Sequence, residues 1–285
     1  MLSALQPKAA FAAMTASSDT FLTKVVGAAS QGAVGAVVGA ALSSVTEPVV
    51  NKVLVERKSV ASAIKEHDFE KIKRFFQTAV STNFIKFPFF EVVNMIMANV
   101  KVAPEIRGTV TGIVFTTATL PLTNYRFRKS MNLPVEGLST LYQAYLPTVL
   151  RDIIYGIARN RATTFMLSRN REAFKNPLSR FLTMFAIVMV ACVTSAPGNE
   201  LRGYVLQPPD RKKPFGEFFD PAKTARSTTI GGIIMSSSLA TGALCTPYVE
   251  MLWGAVKPLF AKDPIGAVTL VLVIVDRWQR RKLSS

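Results

Sequence analysis

The stretch GTVTGIVFTTATLPLTNYRFR, residues 108–128, decides how the fold is read. It holds Gly108 and Gly112, then the hydroxyl of Thr119 two residues before Pro121, then Arg126 and Arg128. The same order stands 73 residues earlier in Gly35, Gly39, Thr46 and Pro48. It recurs in part 76 residues later, where Ser195 precedes Pro197, but Met184 and Val188 replace the glycines. Glycines four apart let helix backbones approach closely in lipid. One such pair is weak evidence. Two pairs at one offset from a hydroxyl and a proline mark an internal repeat.

Outward from that stretch the chain is a series of apolar runs. Val25 to Thr46, Gly108 to Tyr125, Phe181 to Asn199 and Ser227 to Val249 carry no charge. Each is near the roughly 20 residues that a bilayer-spanning helix needs. Two further runs are interrupted: Phe76 to Val100 by Lys86 and Glu91, and Gly137 to Thr164 by Arg151, Asp152, Arg159 and Arg161. A charge at the bilayer centre costs about 2.5–3.5 kcal/mol and turns toward an aqueous cavity or a partner. The last run has Arg226 at its start. The alternation predicts three helix pairs, with the second helix of each pair lining something polar.

Composition agrees. Of 285 residues, 49% are hydrophobic and 18% charged, against about 25% charged in soluble domains. That excludes intrinsic disorder. The net charge of +16 is read as loops facing anionic head groups, not as a nucleic-acid surface. Cys192 and Cys245 both lie in apolar segments, so no disulfide framework is expected. His67 is the single histidine. A catalytic triad or a zinc site has almost nothing to build on, and neither enzymatic activity nor a bound metal is expected.

After the prolines come PVVNKV from Pro48, PLTNYRFR from Pro121 and PGNELR from Pro197, and in the middle repeat Glu136-Gly137 precedes Tyr142. This pattern resembles the mitochondrial carrier family. Its repeats carry Pro-x-[Asp/Glu]-x-x-[Lys/Arg] at the end of each odd helix. An acidic residue with glycine follows, then an aromatic-basic-glycine triplet. The resemblance implies an all-α membrane protein with six transmembrane helices in three pseudo-repeats, a short surface helix within each. The segments are a lead-in at 1–20, repeats at 21–104, 105–176 and 177–258, and an extra C-terminal helix within 259–285. Pro264 to Val275 in that extension is apolar for 12 residues and is followed by a basic cluster.

The departures from the family are informative. The acid two after each proline is replaced by Val50, Thr123 and Asn199. The base five after is Val53, Arg126 and Arg202. The triplet reads Tyr142-Gln143-Ala144. In the family these charges form a salt-bridge ring that closes the matrix gate. Pro48, Pro121, Arg126, Pro197 and Arg202 are then its remnants. The family's substrate level falls at Arg151 and Asp152, with Arg226 and Lys86 as their counterparts. Gly137 starts a surface helix of the kind that receives cardiolipin or another anionic lipid in the family; no other cofactor is implied. The resulting expectation is a degenerate carrier-fold protein of the mitochondrial inner membrane, multi-pass, serving as a structural or accessory subunit of a larger complex, with membrane lipids and protein subunits as partners. The alternative is an atypical carrier exchanging an anionic or zwitterionic metabolite.

Overall fold

The computed structural model describes residues 21–55, 69–130, 134–170, 172, 174–207 and 214–262. The lead-in at 1–20 and most of the extension, 263–285, lie outside the described residues. The described elements are all helices: α1 (Phe21–Val55), α2 (Phe69–Ala98), α3 (Pro104–Ser130), α4 (Leu138–Leu141), α5 (Tyr145–Arg169), α6 (Pro177–Val205), α7 (Phe215–Phe218) and α8 (Pro221–Lys262). Segments within α1, α6 and α8 are long and apolar enough to cross a membrane: Thr23–Thr46, Pro177–Val205 and Thr224–Ala255. The chain is thus compatible with a multi-pass membrane protein. The apolar run in α3 falls outside that set; its threonines at 109, 111, 116, 117, 119 and 123 make it more polar.

Local chemistry sets the ends of these helices. Asn176 accepts a hydrogen bond from the Leu178 amide at 3.0 Å, and Pro177 fills the first helical position of α6, where its missing N–H costs nothing. Asp220 caps α8 in the same way through the Ala222 amide at 2.9 Å. Ala144, just before α5, has φ 58 and is the one described non-glycine residue in the left-handed region. It occupies the place where the resemblance implies a glycine.

Two compact units are present, one of Ala28–Cys245 and one of Met1–Gly27 with Thr246–Ser285. Within the smaller unit, a Cβ at Gly27 would press on the Glu250 side chain. Within the larger unit, α2 lies along α3, α3 along α5, and α5 along α6. Glycines show the remaining contacts. A Cβ at Gly32 of α1 would sit 2.5 Å from the Phe87 carbonyl carbon of α2. One at Gly232 of α8 would sit 2.9 Å from the Met189 Sδ of α6. One at Gly39 of α1 would sit 2.9 Å from the Ser238 Oγ of α8, and Gly35 faces Leu239 of the same helix. Each long helix therefore touches the next, and α8 returns to α1. The second glycine pair works as its spacing predicts: a Cβ at Gly112 would lie 2.5 Å from the Ile153 nitrogen, and Gly108 meets the backbone of Gly156 and Ile157.

The prolines lie inside helices rather than ending them. Pro121 is within α3 and Pro197 within α6. Proline removes one intrahelical bond, which at Pro121 frees the carbonyl of Thr117 four residues back. The Tyr142 hydroxyl donates to that carbonyl at 3.0 Å. Tyr145 adds a hydroxyl contact to Thr117 Oγ1 at 2.8 Å and an edge-on ring contact to Tyr142.

Candidate functional site

Inside the larger unit is a cavity of about 250 Å3. Its apolar wall is Phe87, Phe90, Phe115, Met235 and Leu239, and its polar wall is Lys86, Arg151, Ser195, Asn199, Ser227 and Thr228. Phe90 packs edge-on against Phe115 at 5.1 Å and against Tyr155 at 5.5 Å. The Lys86 ammonium lies 5.8 Å from the centre of the Phe115 ring.

Charge at the cavity is heavily paired. Arg159 grips Glu91 through two parallel bonds of 2.7 Å, Nη1 to Oε1 and Nη2 to Oε2. The side chains are 3% and 5% exposed, so both charges are removed from solvent. Gln31 donates to the same Glu91 carboxylate at 3.3 Å, and the guanidinium stands over Phe90 at 5.1 Å. Three helices, α1, α2 and α5, meet at this carboxylate. A neighbouring amide pair, Asn160 to Asn94 at 3.2 Å, adds a second α5–α2 link.

A second knot joins α3, α5 and α6. Asp152 accepts from Thr116 Oγ1 at 2.6 Å through Oδ2, and from Arg151 through Oδ1 at 2.8 Å and 2.7 Å. Arg151 also reaches Asn199 Oδ1 at 3.4 Å. Gly198 makes that crossing possible, since a Cβ there would lie 2.9 Å from the Arg151 Cα.

The sequence-derived site is partly assembled. Lys86 and Arg151 both line the cavity, and buried Asp152 stands behind Arg151 as its counter-ion. Arg226 is exposed and is not on the wall; Ser227 and Thr228 occupy that level instead. At the gate positions, Arg202 donates to the amide oxygen of Asn124 at 3.3 Å. Asn124 in turn donates to the Leu141 and Gln143 carbonyls, each at 2.8 Å. Thr123 bonds back to its own helix at Thr119. Pro48 and Arg126 lie within α1 and α3, with side chains outside the described set. Gly137 has φ 97 and precedes the four-residue α4.

The pair that sequence reasoning left out of the site is Glu91 with Arg159. Both were visible as charges interrupting apolar runs. They are 68 residues apart, and Glu91, the single carboxylate in its apolar run, is the signal that a buried cation must face it, although three arginines of the other run compete for that place. Outside the apolar segments, Glu105 is held below the usual carboxylate range, first by its backbone amide at the start of α3 and then by Arg161. Lys175, at 2.6 Å, does the same for Glu172. Among the described residues no cluster of ligating side chains suits a metal ion. Comparison with family models, with curated proteins and with solved structures gave no match for this chain.

Proposed function

We infer that the protein is a degenerate carrier-fold subunit: six membrane helices in three pseudo-repeats, retained for shape and buried surface within a larger complex of the mitochondrial inner membrane. The observation that carries this reading is the partner of Arg202, an asparagine amide rather than a carboxylate. A salt-bridge gate needs two states of comparable free energy. Here the gate position is spent on an amide that also clasps the connection before α5. Three further features favour the reading. The order of long helices is paired three times, with four-residue helices inside the second and third pairs. Successive long helices touch, and the last touches the first. Ala144 takes a left-handed conformation at the family's glycine position.

The buried Glu91–Arg159 pair also fastens α2 to α5. Cardiolipin or another anionic lipid fits the net positive charge, and partner subunits would cover the lipid-facing helices. A second reading, exchange of an anionic or zwitterionic metabolite, is favoured by Lys86 and Arg151 on one cavity wall. Reconstitution in liposomes separates the two. The purified chain should show no saturable exchange of amino acids, keto acids, nucleotides or phosphate. Exchange that is lost on Arg151→Ala would establish the transport reading and remove the structural one.

A further inference from the structure

The Arg151 and Arg159 guanidiniums are each met by a carboxylate, Asp152 and Glu91. Two other arginines of the larger unit are not. Arg202, in the last turn of α6, belongs to the apolar span Pro177–Val205 and is partly buried. Its Nη2 donates to the Asn124 amide oxygen at 3.3 Å, and its enclosed Nε has no acceptor. Arg128 of α3 spends its Nε on the Pro134 carbonyl at 2.7 Å and its Nη1 on the Gln143 amide oxygen at 3.0 Å. Asn124 also donates to the Gln143 carbonyl, so both guanidiniums border one polar knot whose acceptors are neutral. Among the described residues no carboxylate pairs with either cation. Asp152 is already engaged by Arg151 and Thr116. Charged side chains within a span pair with an opposite charge or face a water-filled cavity; Arg202 does neither.

The surroundings select the counter-charge. Glu136, before α4, and Glu217, on α7, both stand exposed. They repel a sheet of anionic head groups but leave room for one carboxylate on a side chain. The turn that carries Arg202 also meets a set of aromatic rings. A Cβ at Gly203 would lie 3.4 Å from the Phe218 Cζ. Phe218 packs on Phe219, and Phe219 on Phe215 at 4.3 Å. Phe215 is 59% exposed. Arginine and aromatic side chains are the types enriched where proteins meet. We propose that this end of the larger unit, at α3, α6 and α7, docks an acidic segment of a partner subunit. One Asp or Glu side chain of that segment pairs with Arg202, with Arg128 the next cation along the same knot, and an apolar side chain rests on Phe215. The proposal rests on the accessory reading and names the chemistry of the partner.

The test uses variants of the full chain expressed in place of the native one, with the membrane dissolved in mild detergent and resolved on a native gel. Arg202→Gln should lower the share of chain in a large particle roughly fivefold or more, and Arg128→Gln about twofold. Arg226→Gln, at an exposed position of α8, should leave it unchanged. Purified alone, Arg202→Gln should melt no lower than the unaltered protein, because it removes a cation that has no carboxylate in its own chain. Arg202→Lys keeps the charge and should keep the particle. Its amine also permits zero-length carbodiimide coupling, which joins an amine to a touching carboxylate with loss of water. A covalent link from that position to an Asp or Glu of another polypeptide, read by peptide mass spectrometry, is expected. A large particle that survives Arg202→Gln overturns the proposal and leaves the accessory role standing, as does an Arg202→Lys variant that couples only within its own chain or not at all. A purified Arg202→Gln chain that melts well below the unaltered one makes Arg202 an internal structural residue and overturns the proposal. So does a melting temperature that phosphatidylglycerol raises in the unaltered protein and not in Arg202→Gln, which assigns the cation to a lipid head group. A chain that migrates alone without any substitution removes the accessory role and the proposal together.

Discussion

Replacing Glu91 by alanine strands the Arg159 guanidinium where it is 3% exposed. Two bonds of 2.7 Å are lost together, and the bond from Gln31 goes with them. Removing one partner of a buried pair costs about 3–5 kcal/mol, mainly because the other charge stays buried and uncompensated. For a chain of this size about 1 kcal/mol moves the melting temperature by roughly 2–4 °C. A fall of roughly 6–20 °C follows for Glu91→Ala, and a similar one for Arg159→Ala. The double replacement Glu91→Leu with Arg159→Met removes both charges and keeps apolar volume. It should recover most of the loss, because a buried pair exchanged for packed apolar groups is often neutral or stabilising. Thermal unfolding of the purified protein in one detergent, read as a double-mutant cycle, measures all of this. Single replacements that each cost less than about 1 kcal/mol, or a double replacement as damaging as their sum, would refute the claim that these groups form a closed interior pair.

Other outcomes follow from particular contacts. Ala144→Gly should raise stability by about 1 kcal/mol, because alanine is strained at φ 58 and glycine is not; chemical denaturation checks it. Gly112→Val should prevent α3 and α5 from seating, since a Cβ there would lie 2.5 Å from the Ile153 nitrogen; loss of folded protein in size-exclusion chromatography is the expected readout. Tyr142→Phe leaves the Thr117 carbonyl freed by Pro121 without its donor and should cost about 1 kcal/mol, measured by thermal shift. Lys175→Ala should raise the titration midpoint of the Glu172 carboxyl, whose nearby cation is removed; an NMR pH titration reads it.

Much of the helical layout could be read from the repeat. The pairs Gly35/Gly39 and Gly108/Gly112 announce close crossings because small residues spaced four apart let helix backbones approach in lipid. The crossings fall on Ser238 and Leu239 of α8 and on the backbone of α5. Lys86, Arg151 and Asp152 were legible as charges that an apolar run does not tolerate without a purpose. Arg226 was not, because its place was fixed by counting from a proline, and one residue of helix turns a side chain by about 100°; Ser227 faces the cavity instead. The Glu91–Arg159 pair escaped for a different reason. Its spacing of 68 residues has no local periodicity, so only the packing of α2 against α5 brings the charges together. The roles of Tyr142 and Asn124 were equally hidden. Both repair or clasp backbone groups, and such needs appear only once Pro121 is known to lie inside a continuous helix.

The central claim is that this chain persists as a component of an assembly and does not turn over a solute by itself. The most direct measurement is the mass of the particle that contains it when its native membrane is dissolved in mild detergent and resolved on a native gel. The account predicts a band far above the 31.1 kDa of the single chain, shared with other membrane subunits and lost as a unit when the chain is depleted. Migration as a lone 31.1 kDa chain with its detergent would contradict it.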